Sequence, residues 1–391
     1  MVSRAYMDAL AHRHRVLVYA RGGEAYARGN PQWDQEFVTW DRRESISTAV
    51  DWRQFKRWVL DNQLDLVMFN EQQFWPAVVM ARNELPVWLA AYVDYYTSVT
   101  VPFFWLYDVL LCNTLRHYSV FRSHPGVLHV PWGTDCELFA GTCEPVSKDG
   151  VVFFHSVGMS PGRKGTSIAL EAFHRLRGNH RFVLHTQVPL STDPEVERIC
   201  RADDRIEVIH RTVPAPGLYH LGDVYVYPTV LEGIGLTIAE ALACGLPVIT
   251  TDVPPMNEFV HHGVNGRLVS PAEYRGRFDG YYWAEAYSRP ESVTEAMQFY
   301  VDEQARLPQF KREARAFAQE RLDWRKNAVD LPEKLESLTR SAQPLRSDLT
   351  PLAKRALEHA HLSNVGRRGL RIILRKVGLE HSKLGVRLLY G

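Results

Sequence analysis

The chain has 391 residues, 46% of them hydrophobic and 23% charged, and a formal charge of +1. Such a length exceeds one ordinary core and fits two domains plus an extension, while so balanced a charge asks for no nucleic acid and no acidic partner. The five cysteines, Cys112, Cys136, Cys143, Cys200 and Cys244, are scattered and never spaced CxxC, which argues against a disulfide framework or a zinc site and fits a reducing cytoplasm.

At the N-terminus, segment 1–20 places charges where a signal peptide needs an apolar core, and its apolar run Val16–Ala20 is too short for one. Export by that route is not expected. The β-branched run RVLVYA (15–20) is followed by Arg21-Gly22-Gly23, and DLVMF (65–69) and VWLAAYV (87–93) come next. The greasiest region, Leu85–Cys112, approaches transmembrane length but holds Pro86, Asp94, Pro102 and Asp108, so it reads as buried strand and helix. VLHVP (127–131) ends this first series.

Near GTCEPVSKDG (141–150) glycine, proline and charge replace the apolar pattern, which marks a domain boundary. A second series follows: VVFFHSV (151–157), RFVLHT (181–186), IEVIH (206–210), DVYVYP (223–228) and PVITT (247–251), with helical segments between. The alternation predicts an α/β architecture of two doubly wound, Rossmann-like domains over 1–145 and 146–325, facing each other across a cleft. The aromatic stretch RFDGYYWAEAY (277–287) is left as an acceptor lip, a partner surface or plain packing.

The remainder, 326–391, reads as a helical, basic extension. From Arg346 to Gly391 there are ten Lys or Arg against three Asp or Glu. Within GRRGLRIILRKVGL, Leu370, Ile373, Leu374 and Val377 share one helical face and the basic residues lie mostly elsewhere. Such a helix either rests peripherally on anionic lipid at the inner face of a membrane or docks on a domain with its basic face in water.

The stretch EGIGLTIAE (232–240) follows the strand DVYVYP and opens a predicted helix over 236–243 that ends at Cys244-Gly245. Gly233 and Gly235 leave the backbone bare to a ligand, and free amides at the helix start carry partial positive charge suited to phosphate. Two acids beside a phosphate turn look contradictory. Glu232 and Glu240 need not touch the same group, however, and carboxylates accept hydrogen bonds from hydroxyls. A diphosphate flanked by two polyols, in other words a nucleotide sugar, fits both features.

The run PTVLEGIGLTIAEALACGLPVITTDVPPMNEFVHHGVNGRLVSP (228–271) closely resembles the nucleotide-sugar motif of glycosyltransferase family 4, with Glu232 and Glu240 at its E-x7-E pair. SVGMSPGRKGTSIALEAFHRL (156–176) and PWGTD (131–135) resemble two further segments of that family, in its order and spacing. The resemblance implies the GT-B fold and a retaining, metal-independent transfer from a nucleoside-diphosphate sugar, a UDP-sugar first, with no cofactor, to a glycan or lipid-linked acceptor. It implies that Glu232 contacts the donor sugar, that Glu240 binds the ribose, and that the amides of Ile234, Gly235 and Leu236 lie near the diphosphate. Lys164, with Arg163 beside it, would neutralise the leaving group, and Gly22 and Gly23 would belong to a loop closing over the donor.

The chain departs from the family pattern twice. Met159 stands where many relatives carry an arginine, and the strand facing the reacting sugar has no histidine, which leaves Asp94, then Tyr92, as the polar candidate there. These departures keep two alternatives open: a non-catalytic paralogue binding nucleotide or glycan, and a nucleotide-sugar epimerase. His117 and His124 are weaker candidates for acceptor contact. His261 and His262 fall in a polar turn.

Overall fold

The computed structural model of the chain describes residues 2–24, 27–31, 33–44, 48–341 and 349–361. Two parallel sheets dominate it, as the alternating pattern predicts. The first contains Leu66–Asn70, Trp88–Tyr92, Val109–Cys112 and Val127–His129 in that spatial order, all pairings parallel. Val18–Ala20 and Val38–Trp40 pair with each other as a separate two-stranded piece. The second sheet is six-stranded, in the order Gly266–Val269, Val248–Thr251, Val224–Tyr227, Val151–Ser156, His180–Thr186, Ile206–His210.

The chain leaves Val151–Ser156 toward one edge of the second sheet, then returns to Val224–Tyr227 and builds toward the other edge. These two strands are neighbours, with Phe153 opposite Val224 and Phe154 opposite Tyr225. At such a reversal the loops leaving the two strands diverge, which opens a crevice at their carboxyl ends. Both strands are covered on both faces and nearly every residue is buried, so in sequence they read as continuous apolar runs without alternation.

The greasy region Leu85–Cys112 supplies two strands of the first sheet and the short 3-10 helix Val101–Leu106 between them. Its buried acid is accounted for: Asp108 accepts from the Leu89 amide at 2.8 Å and pairs with Arg82 at 2.9 Å. Among the described residues no helix is long and apolar enough to cross a membrane.

The chain end ties the halves together. Helix Leu331–Ser341 lies against helix Val2–Leu10, with Arg13 bound to Glu333 and the Trp324 ring edge-on to Tyr6 at 5.2 Å. A further helix, 350–361, returns to the first sheet and buries Ala356 in its core. The basic amphipathic segment at 366–379 lies outside the described residues.

One element has no counterpart in the sequence expectation. Pro271–Arg275 and Glu285–Ser288 form an antiparallel hairpin whose connecting residues are the aromatic stretch. Its tip crosses to the first domain, where Thr97 bridges Tyr281 and the Tyr282 amide donates to the Tyr96 carbonyl at 2.9 Å.

Candidate functional site

Helix Leu236–Ala243 starts and stops for local reasons. Gly235 caps it with a left-handed φ of 94°, a conformation costly for any residue with a β-carbon. At the other end Gly245 has φ 79°, its amide bonds to the Leu242 carbonyl, and the Leu246 amide bonds to the Ala241 carbonyl. That is a Schellman closure, which satisfies carbonyls the helix cannot. Alanine, leucine and glutamate favour the helix between, and Ile238 through Ala243 are buried, so Glu240 is carried into the interior.

The turn before this helix, 228–235, meets the loop that follows Val151–Ser156. The Val230 amide donates to the Arg163 carbonyl at 3.0 Å, and the Thr229 hydroxyl oxygen lies 3.0 Å from the same carbonyl. This stitching brings together the three side chains that the sequence predicts for the leaving group and sugar. Lys164 Nζ lies 2.6 Å from Glu232 Oε1, and Arg163 Nη1 lies 3.5 Å from Glu232 Oε2. Tyr227 and Thr229 hydroxyls donate to the same Oε1 at 2.9 and 2.8 Å.

Burial pushes the Glu232 carboxyl up, but Lys164, Arg163 and the hydrogen bonds outweigh it and hold the group below its ordinary range. For Lys164 the balance falls the other way: burial, helped by Arg163, pulls the ammonium below its usual value against the attraction of Glu232. Glu240 is raised by burial, opposed by a 2.6 Å bond from the Tyr219 hydroxyl and by the charge of Lys164. The acids therefore have separate partners: Glu232 is bonded to Lys164, and Glu240 to the Tyr219 hydroxyl.

The opposite wall comes from the first domain. Asp94 follows strand Trp88–Tyr92 and faces Gly233, where a β-carbon would lie 2.2 Å from its Oδ1. Burial, then the charge of Glu71, raises the Asp94 carboxyl to about 7, with Arg116 opposing. Glu71 is itself raised by burial and holds a left-handed φ of 51° at the end of Leu66–Asn70, strain of the kind found at binding sites. A cavity of about 2080 Å³ opens beside it, bordered by Arg21, Glu24, Glu71, Trp75, Tyr95 and the hairpin's Asp279.

Arg116 and His117, at the start of helix Leu115–Phe121, close the gap between the domains. Arg116 donates to the Glu232 and Gly233 carbonyls and, at 2.9 Å, to Pro254. His117 Nε2 lies 3.2 Å from the Gly233 carbonyl, and its Nδ1 is bonded to Tyr96. Glu258 of the second domain accepts the amides of Leu115 and Arg116 at 2.5 and 2.8 Å.

Sequence reasoning gave Arg116 no role and weighed His117 for the acceptor alone, whereas both its ring nitrogens are used at the domain contact. Arg116 has no local signal beyond its charge. His124 is occupied by the Tyr107 carbonyl and the Gly126 amide, and His262 accepts the Leu268 amide. Gly22 packs on its own domain, where a β-carbon would strike the Asp41 carbonyl at 2.2 Å. Gly23 adjoins it in the same loop. Ile234 is buried and Leu236 half-buried, while Met159 is 75% exposed.

Comparison with solved structures places the whole arrangement in one fold. A glycosyltransferase from Rickettsia africae superposes with a TM-score of 0.70 at 11% identity, covering 87% of this chain and 96% of that one. HepE from Anabaena, solved with UDP and glucose, gives 0.64 at 18% identity over 85% and 95%. The chain has the GT-B fold.

The second domain carries the likeness in sequence. Residues 150–278 match the model of the glycosyl transferases group 1 family. A D-inositol 3-phosphate glycosyltransferase of Pseudarthrobacter chlorophenolicus is 30% identical over 175 residues, 42% of this chain and 36% of that protein. A lipopolysaccharide core biosynthesis mannosyltransferase of Rhizobium meliloti is 41% identical over 69 residues, 17% of this chain and 20% of that protein. The chain thus spans about a third or less of the length of these curated relatives.

Proposed function

We propose that the protein is a retaining, metal-independent glycosyltransferase that moves a sugar from a nucleoside diphosphate to a glycan or lipid-linked acceptor held on the first domain's side of the cleft. The observation that carries this reading is the cluster of Lys164, Arg163 and Glu232 at the reversal point of the second sheet. As the glycosidic bond breaks, negative charge grows on the leaving diphosphate, and preorganised cations in a site shielded from water stabilise it. Lys164 and Arg163 supply that charge where a magnesium ion otherwise would. Glu232 accepts hydrogen bonds from the sugar hydroxyls, and Glu240 takes the ribose.

Uridine is the first choice of base, supported by the UDP present in the Anabaena HepE structure. Asp94 meets the donor turn at Gly233 from the first domain's side and is the side chain to receive the acceptor hydroxyl. A non-catalytic nucleotide- or glycan-binding protein is the second reading, favoured by the exposed Met159 in the arginine position.

The test is incubation with a panel of nucleotide sugars in EDTA, following free nucleotide and the anomeric configuration of product by NMR, with Glu232→Ala and Lys164→Ala as controls. Release of nucleotide from one donor, lost in both variants, supports transfer. Tight nucleotide binding without release, with candidate acceptors present, favours the second reading, and a rearranged free sugar nucleotide would instead mean an epimerase.

A further inference from the structure

We propose that Trp283, on the hairpin of the second domain, is a positioning residue that holds the Glu232-Gly233 turn in shape through two side chains of the first domain. This rests on the reading of 232–240 as the donor turn. Trp283 Nε1 donates to the Tyr96 hydroxyl at 2.8 Å. An indole nitrogen can only donate, so the Tyr96 oxygen accepts there and keeps its own proton to give. It gives it to His117 Nδ1 at 2.8 Å.

The direction of the next link follows from the same inventory. His117 is buried, and burial with the adjacent Arg116 charge pushes it down to about 3, so its ring is neutral and carries one N–H. The Gly233 carbonyl can only accept, which puts that proton on Nε2, 3.2 Å away. The bonds therefore run one way, from Trp283 to Tyr96 to His117 to the Gly233 carbonyl. The chain begins and ends on the second domain and passes through the first.

A second path starts from the same side chain. The Arg116 guanidinium lies over the Trp283 ring at 5.2 Å, a favourable cation–π arrangement, and donates to the Glu232 and Gly233 carbonyls. Both paths end on the peptide groups that aim the Glu232 carboxylate and present Gly233 to Asp94. The hairpin is held in place independently: Tyr281 stacks on Tyr95 at 5.3 Å and 13°, and its hydroxyl donates to the Asp94 carbonyl at 3.1 Å. Removing the Trp283 N–H therefore loosens the turn without releasing the hairpin.

The test compares wild type, Trp283→Phe, Tyr96→Phe and the double variant. Phenylalanine keeps a ring for Arg116 and removes the donor, and Tyr96→Phe removes the next link. Amide hydrogen exchange at 231–236 is read without any nucleotide present, alongside the melting temperature, kcat and donor KM. Each single variant is expected to speed exchange at that segment by about 5-fold, the factor one ordinary hydrogen bond supplies. The double variant should be no faster than either single one, because both break the same chain.

The kcat should fall while donor KM and melting temperature stay near wild type. Unchanged exchange in both singles, additive effects in the double, or losses that only follow the melting temperature would overturn the proposal. The exchange result stands without turnover, so a wild type that transfers no sugar yet shows the expected exchange pattern leaves Trp283's role intact and removes the enzyme reading alone. A wild type that does transfer sugar, with Trp283→Phe indistinguishable from it in exchange and kcat, overturns the positioning role alone.

Discussion

Gly233 and Asp94 belong to different domains and touch with no room for a side chain between them, since a β-carbon on Gly233 would sit 2.2 Å from Asp94 Oδ1. The glycine at this position is thus explained by the close approach of a carboxylate. Gly233→Ala should push the donor turn away from the first domain. A displacement near 1 Å costs about 100-fold in turnover, with little loss of fold stability because the strain falls at the domain contact. Steady-state kcat and a melting curve check this together. Adding Asp94→Ala removes the clash and should restore domain closure, read by small-angle scattering, without restoring turnover.

Lys164 and Glu232 face each other at 2.6 Å with little exposure. The fold gains from the lowered carboxyl and loses from the lowered ammonium. Such a pair adds little net stability but is expensive to break, and Lys164→Ala, which leaves the buried carboxylate with Arg163 at 3.5 Å as its nearest cation, should cost about 3 kcal/mol. The carboxyl's folded pKa lies below its ordinary 4.5, so its contribution is present above pH 4.5 and is lost as pH falls through the folded value. The stability advantage of wild type over Glu232→Gln should therefore shrink below about pH 4.5. Urea unfolding at pH 7 and pH 4 measures it, and an advantage that does not change with pH would contradict the ion-pair account.

Asp94 is raised to about 7. A raised carboxyl costs stability once it ionises: the folded state holds a proton that the unfolded chain has released, so the penalty grows as pH climbs from the ordinary carboxylate range through about 7. For the proposed transfer the sign is opposite, because only the ionised form can take the proton of the acceptor's hydroxyl. The kcat/KM profile should rise through a pKa near 7, and Asp94→Asn should lose that limb while gaining relative stability at pH 8. A wild-type limb that survives in Asp94→Asn would assign the titration to another group.

These outcomes depend on features of unequal visibility in the sequence. Helix Leu236–Ala243 is legible to the residue because its limits are local, a glycine at each end in a left-handed conformation. Glu232 and Lys164 stand 68 positions apart and are legible as partners only through the resemblance to family 4, since no periodicity joins them. Arg116, His117 and Trp283 escape sequence reading for a physical reason. Their roles arise when two domains dock, and docking contacts leave no repeat in either chain segment. Glu71 escapes because nothing local in the sequence marks a non-glycine residue for a left-handed φ. Asp94 lies between these cases: its place at a strand end is readable, but its raised pKa depends on burial first and then on Glu71 and Glu232.

The loop that delivers Lys164 turns on a glycine directly after it. Gly165 has φ 69°, and a β-carbon there would meet the Pro228 carbonyl at 2.1 Å. The obstacle is backbone held by the Val230 amide bonding to the Arg163 carbonyl, so it cannot rotate aside as a flexible side chain would. Alanine at 165 meets a left-handed penalty of about 1–2 kcal/mol and a clash in addition, and relief requires the loop carrying Lys164 to move off the 228–232 turn. Gly162, in the same loop, has open space around its α-carbon and no left-handed φ. Gly165→Ala is therefore expected to lower stability by about 3 kcal/mol or more and to weaken binding of uridine diphosphate about 10-fold or more, the loss of one charge-assisted contact, while Gly162→Ala stays close to wild type in both. Denaturant unfolding and calorimetric titration with the nucleotide read the two effects. Equal behaviour of the two variants would mean that the contact between this loop and Pro228 does not set the position of Lys164.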